Sequence, residues 1–104
     1  MRGKIIDLGV QLGSLSVALV IAITPDAEDK LEIFVSVHPV GSNKYLPSNL
    51  RLKLLSESSQ ILQDVESRSS DNYIQLKRFK GYSGERFSIV VAFDDYTITE
   101  NFII

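Results

Sequence analysis

The chain has no cysteine, no tryptophan and a single histidine, His38. Without cysteine there is no disulfide, no thiolate metal site and no thiol nucleophile, and a reducing compartment, the cytoplasm, is the expected setting. One histidine rules out a histidine-rich metal centre within one chain. Charge of either sign is not in excess: 11 basic residues stand against 13 acidic ones, a net charge of −2. Such a balance gives no whole-molecule attraction to nucleic acid or anionic lipid. Long apolar runs are missing too. The longest is Val17 to Ile23, closed by Pro25, whereas a membrane-spanning helix needs roughly 20 apolar residues. Asp7 and Gly9 interrupt the region after the basic start Met-Arg-Gly-Lys. No small-residue cleavage site follows it. Neither a membrane span nor a signal peptide is therefore expected.

What is present is ordinary globular composition, 44% hydrophobic and 23% charged, over a length that suits one domain, residues 1–104. Two-residue alternation dominates. Lys4 to Leu8 reads as a first strand, and Gly9 and Gly13 bracket a flexible passage where Val10 and Leu12 bend inward. Leu15 to Thr24 is a second strand with one bulky face and one small apolar face (Ser16, Ala18, Val20, Ala22). That pattern suits a central strand, packed inward and partly covered outside. Pro25 to Asp29 is an acidic loop. Lys30 to His38 is a third strand with Leu31, Ile33, Val35 and Val37 on one side. Pro39 to Asn49 is irregular and crosses the rim, with Tyr45 and Leu46 against the core. Leu50 to Leu54 and Ile61 to Ser67 form a polar hairpin; Gln63, Asp64, Glu66 and Arg68 suggest an edge strand guarded by charge. A helix over Leu54 to Val65 is the competing reading, weakened by Ser56, Ser58 and Ser59.

The last third holds three strands: Asn72 to Phe79, Arg86 to Phe93 and Tyr96 to Phe102. Gly81 to Gly84 and Asp94-Asp95 are the turns. Glu100 falls on the face shared by Tyr96, Ile98, Phe102 and Ile104, so a bulge or the exposed end of the sheet is expected there. About seven to eight strands near ten residues apart give an all-β expectation. It is an antiparallel two-sheet sandwich, immunoglobulin-like or Greek key, with a small β-barrel as the alternative.

Several stretches carry a family resemblance: Ile5-Ile-Asp-Leu-Gly9, Tyr45-Leu-Pro47, Asp71-Asn-Tyr-Ile-Gln-Leu76, Gly84-Glu-Arg-Phe-Ser-Ile89 and Thr99-Glu-Asn-Phe102. Together the chain resembles the C-terminal part of the cyanobacterial family called domain of unknown function 1822, from about Arg2 onward. The resemblance implies a cyanobacterial soluble protein and a C-terminal domain of a longer architecture. It brings no reaction, cofactor or catalytic residue.

Four groups of residues could carry function. His38 with Ser36 could act as base and nucleophile, but catalysis also needs an orienting carboxylate and an oxyanion donor. A rim histidine is the plainer reading. Asp26, Glu28 and Asp29 crowd one loop, Asp94 and Asp95 another; a Ca²⁺ site needs six to eight converging oxygens, so solvated turn carboxylates are preferred. Lys77, Arg78, Lys80 and Arg86 form the one basic cluster, with Tyr73, Phe79 and Tyr82 among them. Cations interleaved with rings suit a single nucleic-acid strand or an acidic protein segment; solvated charge on a turn is preferred. Lastly, Tyr96 to Ile104 ends the chain apolar on both faces at Phe102, Ile103 and Ile104. Such an edge invites homodimerisation by strand addition. Tyr73, Lys77, Arg78, Lys80, Tyr82, Arg86, Phe102 and Ile104 are thus the candidate interaction surface. The expected function is a non-catalytic protein-interaction or structural module with an unidentified protein partner. A ligand-binding or hydrolytic role at His38 ranks second and nucleic-acid binding at residues 77–86 third. No catalytic residue, cofactor or metal ligand is assigned.

Overall fold

A computed structural model of the chain describes residues 4–41, 45–68 and 71–104. Part of the irregular crossing (residues 42–44), the approach at 69–70 and the N-terminal Arg2 lie outside the described residues. The described residues form nine strands: β1 Lys4–Leu12, β2 Leu15–Pro25, β3 Lys30–Pro39, β4 Arg51–Ser56, β5 Ile61–Glu66, β6 Ile74–Gln75, β7 Phe79–Tyr82, β8 Arg86–Phe93 and β9 Tyr96–Ile103. They make two antiparallel sheets. One runs β1-β2-β3, with β6 and β7 end to end on the far edge of β3; the other runs β5-β4-β8-β9. No hydrogen-bonded ladder joins the two sheets among the described residues, so the molecule is a sandwich and not a barrel.

The alternation seen in the sequence builds the layer between the sheets. Leu19, Ile21, Ile33, Val37, Leu50, Leu52, Ile89 and Val91 are fully buried there. Burying a large aliphatic side chain contributes about 1.5–3 kcal/mol, which makes this layer the main stabilising element.

Five local expectations are corrected. The first strand does not stop at Leu8. It continues in register with β2 to Leu12↔Leu15, because a ladder needs only backbone groups and Gly9 supplies those. Val10 and Leu12 do point inward. The two-residue turn then falls at Gly13-Ser14, with Gly13 at φ +66°. Next, Asn72 to Phe79 is not one strand. Ser36 pairs Gln75, but Ile33 pairs Phe79, so the partner sum shifts by one and the strand breaks between β6 and β7. Gly81 and Tyr82 belong to β7, and only Ser83-Gly84 turn. Tyr45 is 53% exposed and does not join Leu46 in the core. Finally, β8 and β9 pair without a bulge from Phe93↔Tyr96 to Arg86↔Ile103. The bulge lies instead in the β4–β5 pair, between Leu54 and Leu55. Of the two expectations for Glu100, the end of the sheet is the one that holds: it sits half-buried on the inner side of β9, the outermost strand, opposite Ile89.

One side chain ties the two layers at an edge, and a second ties the crossing segment down. The Gln63 amide accepts the Lys77 N–H at 2.8 Å and donates to the Lys77 carbonyl at 3.0 Å. It replaces the ladder lost where the strand breaks. Ser67, 2% exposed, accepts the Leu50 N–H at 3.0 Å and donates to the Pro47 carbonyl at 2.5 Å. That hydroxyl anchors the crossing segment to the end of β5.

Candidate functional site

The two outer faces of the sandwich differ. On the β5-β4-β8-β9 sheet the face is mixed, with Leu55, Val90 and Ala92 set among charged and hydroxyl side chains. Arg51 and Glu66 pair at 3.0 Å, and Ser88 donates to Asn101 at 2.5 Å. On the β1-β2-β3 sheet the register sets a small apolar middle strand between mixed neighbours. Ile5, Ala22 and Phe34 form one row; Asp7, Val20 and Ser36 the next; Gly9, Ala18 and His38 the third. Small side chains line the middle strand. Ile5 (75% exposed) and Phe34 (37% exposed) rise on either side. The small apolar face of β2 is thus open to solvent in the isolated chain.

Some of the basic and aromatic candidates join this face. The Arg78 guanidinium lies 5.0 Å from the Phe34 ring centre and pairs with Glu32 at 2.9 Å. Tyr73 stacks on His38, centroids 5.5 Å apart. Lys80 stands opposite Glu32 on the same face and pairs with Asp26 of the acidic loop at 2.9 Å. That hydrogen bond, with one from the Ala27 N–H, holds the Asp26 carboxyl below its ordinary range, and the same bond raises Lys80. Lys77 is exposed, with its backbone held by Gln63. Tyr82 is exposed, with Lys30 5.8 Å from its ring centre. Arg78 and Lys80 thus sit together beside Glu32 on the outer face, each ion-paired with a carboxylate, so the basic cluster is largely neutralised where it gathers. Phe102 turns inward and stacks on Phe87 at 5.3 Å; Ile104 packs against the core.

Ser36 Oγ and His38 Nε2 are 2.9 Å apart on the outer face. No carboxylate is among the hydrogen-bond partners found for His38, so its orientation comes from Ser36 and the Tyr73 ring.

The acidic loops cannot share one cation. Gly13, at the start of β2, lies against the Tyr96 ring beside Asp94-Asp95. Asp26 to Asp29 follow the other end of β2, about 35 Å away for a strand of that length. Among the described residues no cluster of three or more His, Cys, Asp or Glu could hold a metal ion.

Sequence reasoning missed a cleft of about 530 Å³ where the sandwich opens between β7 and the β4–β5 hairpin. Ile33, Leu54, Leu62, Phe79, Phe87 and Ile104 wall it, and Glu57, Lys80, Glu85 and Arg86 surround its mouth. The β4–β5 bulge leaves Leu62 without a cross-strand partner, 54% exposed at this opening. His38 does not line the cleft.

Among the described residues no helix is long and apolar enough to cross a membrane. A family model described as "Protein of unknown function (DUF1822)" matches residues 1–103. No curated protein and no solved structure matches the chain.

Proposed function

This chain belongs to the DUF1822 family, whose description assigns no activity, and we propose from its own surface that it is a non-catalytic module that binds another protein. The observation that carries this reading is the apolar middle strand on the outer face of β1-β2-β3. Ala18, Val20 and Ala22 lie between Ile5 and Phe34 there, while the opposite sheet sets its apolar residues among ion-paired and hydrogen-bonded polar groups. A contiguous apolar patch rimmed by polar residues is what a protein-binding face presents. Phe34 under Arg78, with Tyr73 nearby, supplies the aromatic and arginine anchors that dominate such faces.

Two further features support the reading. The order β2-β3-β6/β7 against β5-β4-β8-β9 follows the immunoglobulin-like A-B-E and C′-C-F-G pattern, with β1 as an added strand. That architecture hosts many binding modules, an analogy of fold only. The lack of cysteine fits a reducing, cytoplasmic setting.

The test is affinity capture from the native host with the wild-type domain and with Val20→Lys. Val20 is partly exposed on the outer face, outside the buried layer; an unchanged melting temperature shows that the variant keeps the fold. A defined partner held by the wild type and lost by the variant is expected. Equal capture by both would remove this face from the function.

A further inference from the structure

We propose that two copies of this chain associate edge to edge through β1, joining their β1-β2-β3 sheets into one continuous sheet. This is independent of the outer-face reading above.

The sandwich has four edges: β1, β9, β5 and the β6/β7 line. Each presents unpaired backbone N–H and C=O groups. Three carry a feature that opposes strand addition. On β9 it is Glu100, which faces inward opposite the fully buried Ile89. A strand laid beside β9 in any register would cover that carboxylate. Glu100 has no ion pair among the described residues, so covering it would bury an uncompensated charge. The terminal strand is therefore the poorer edge, despite Phe102, Ile103 and Ile104. β5 is bent by its bulge, carries Asp64 and Glu66, and is tied to Lys77 through Gln63. The β6/β7 line breaks register and carries Lys77, Arg78 and Lys80.

β1 carries charge too, Lys4 at its exposed end and Asp7 on the outer face, but it has no bulge, no break in register and no charge in the middle of its inner row. Its nine residues run in unbroken register with β2, with no proline and no bulge. Its inner row starts with the exposed Lys4 at the strand's end and continues with Ile6, Leu8, Val10 and Leu12, all apolar. Ile6 and Leu8 are only half-buried at the open side of the sandwich. A strand added there would complete their burial.

The strand also complements itself. With a two-fold axis at Leu8, Leu8 meets its own copy, Ile6 meets Val10 of the second copy, Asp7 meets Gly9 and Ile5 meets Gln11. Inner residues then face inner residues, and no like charges oppose. This is the one register that pairs every residue from Lys4 to Leu12. Moving the axis to Asp7 would set two carboxylates against each other, which is destabilising. A self-complementary patch around a two-fold axis is the commonest form of homodimer.

Because the chain has no cysteine, the double variant Ile5→Cys/Gln11→Cys tests this register. Both positions are exposed on the outer face, so the fold is kept. Within one chain the two thiols are about 20 Å apart along the strand, too far for a disulfide. Across the seam they are direct partners. Mild oxidation of the double variant is expected to double the mass on a non-reducing gel, while either single variant stays monomeric. No cross-link, or equal cross-linking of the single variants, overturns the proposal. A wild-type chain that sediments as a monomer at every attainable concentration overturns it too.

Discussion

Ser67→Ala removes one oxygen atom and leaves two backbone groups without their partner. The Leu50 N–H, buried 3.0 Å from that oxygen, loses its acceptor, and the Pro47 carbonyl loses a donor at 2.5 Å. A buried donor left unsatisfied costs about 1–3 kcal/mol. The Pro47 carbonyl is part-buried and recovers some of its loss from water. The sum is about 2–3 kcal/mol, or a fall in melting temperature of roughly 10–20 °C for a domain of this size. Ser56 provides the control. Its hydroxyl also makes two hydrogen bonds, accepting the Gln60 N–H at 3.1 Å and meeting the Ser58 hydroxyl at 3.0 Å. Those bonds are exposed, so water replaces them and Ser56→Ala is expected to cost within about 0.5 kcal/mol. Urea unfolding of both variants, with the denaturant slope unchanged, gives the comparison. Equal losses at the two serines would refute the reasoning, since burial is the only difference invoked.

Gln63→Ala removes both bonds to the Lys77 backbone and is expected to cost about 1–2 kcal/mol; hydrogen exchange should accelerate at the Lys77 amide, and an unchanged rate there would contradict the bridging role. Gly13→Ala sets a Cβ 2.5 Å from the Tyr96 ring at a backbone φ of +66°. A loss of about 1–2 kcal/mol is expected, part of it recovered with Tyr96→Ala; no recovery would place the whole effect in the backbone. Asp26 titrates below its ordinary 3.8 and Lys80 above its ordinary 10.5 because of their mutual hydrogen bond. The Asp26 contribution to stability is therefore present above 3.8 and lost as pH falls through the lowered value. The Lys80 contribution is present below 10.5 and lost as pH rises through the raised value. In carboxyl NMR, Lys80→Met should move the Asp26 titration up toward its ordinary range, the Ala27 N–H keeping part of the lowering; an unmoved titration would show that Lys80 is not the cause. A fluorophosphonate probe should leave Ser36 unlabelled, since His38 has no carboxylate to orient it; stoichiometric labelling would revive a hydrolytic reading.

The strands of the sandwich were legible because alternation is a local signal. Lys30 to His38 shows it cleanly, and Ile33, Val35 and Val37 are buried as the pattern requires. The Asp94-Asp95 turn followed from its two flanking runs. The break after Gln75 was not legible, since the apolar pattern of Tyr73 to Phe79 passes through it. Its compensation comes from Gln63, which the sequence places among charged edge residues. Among the site candidates, Tyr73, Arg78 and Lys80 share the outer side of β3, with Arg78 matched by Glu32 and Lys80 by Asp26. Spacing along the chain does not encode which carboxylate a cation meets.

By itself the sequence determined an all-strand chain with alternate residues hidden, because the choice of inner or outer face repeats every two residues and is written in hydrophobicity. Tertiary structure alone decided which strands became edges and which polar residues faced inward at them. Gln63 and Glu100 both interrupt an apolar inner row, and the sequence treats them alike. One meets the backbone of Lys77 in the break between two strands of the other sheet and becomes a bridge; the other has no ion pair among the described residues and lies on an edge strand. That difference depends on partners brought close only by the crossing of the chain between sheets.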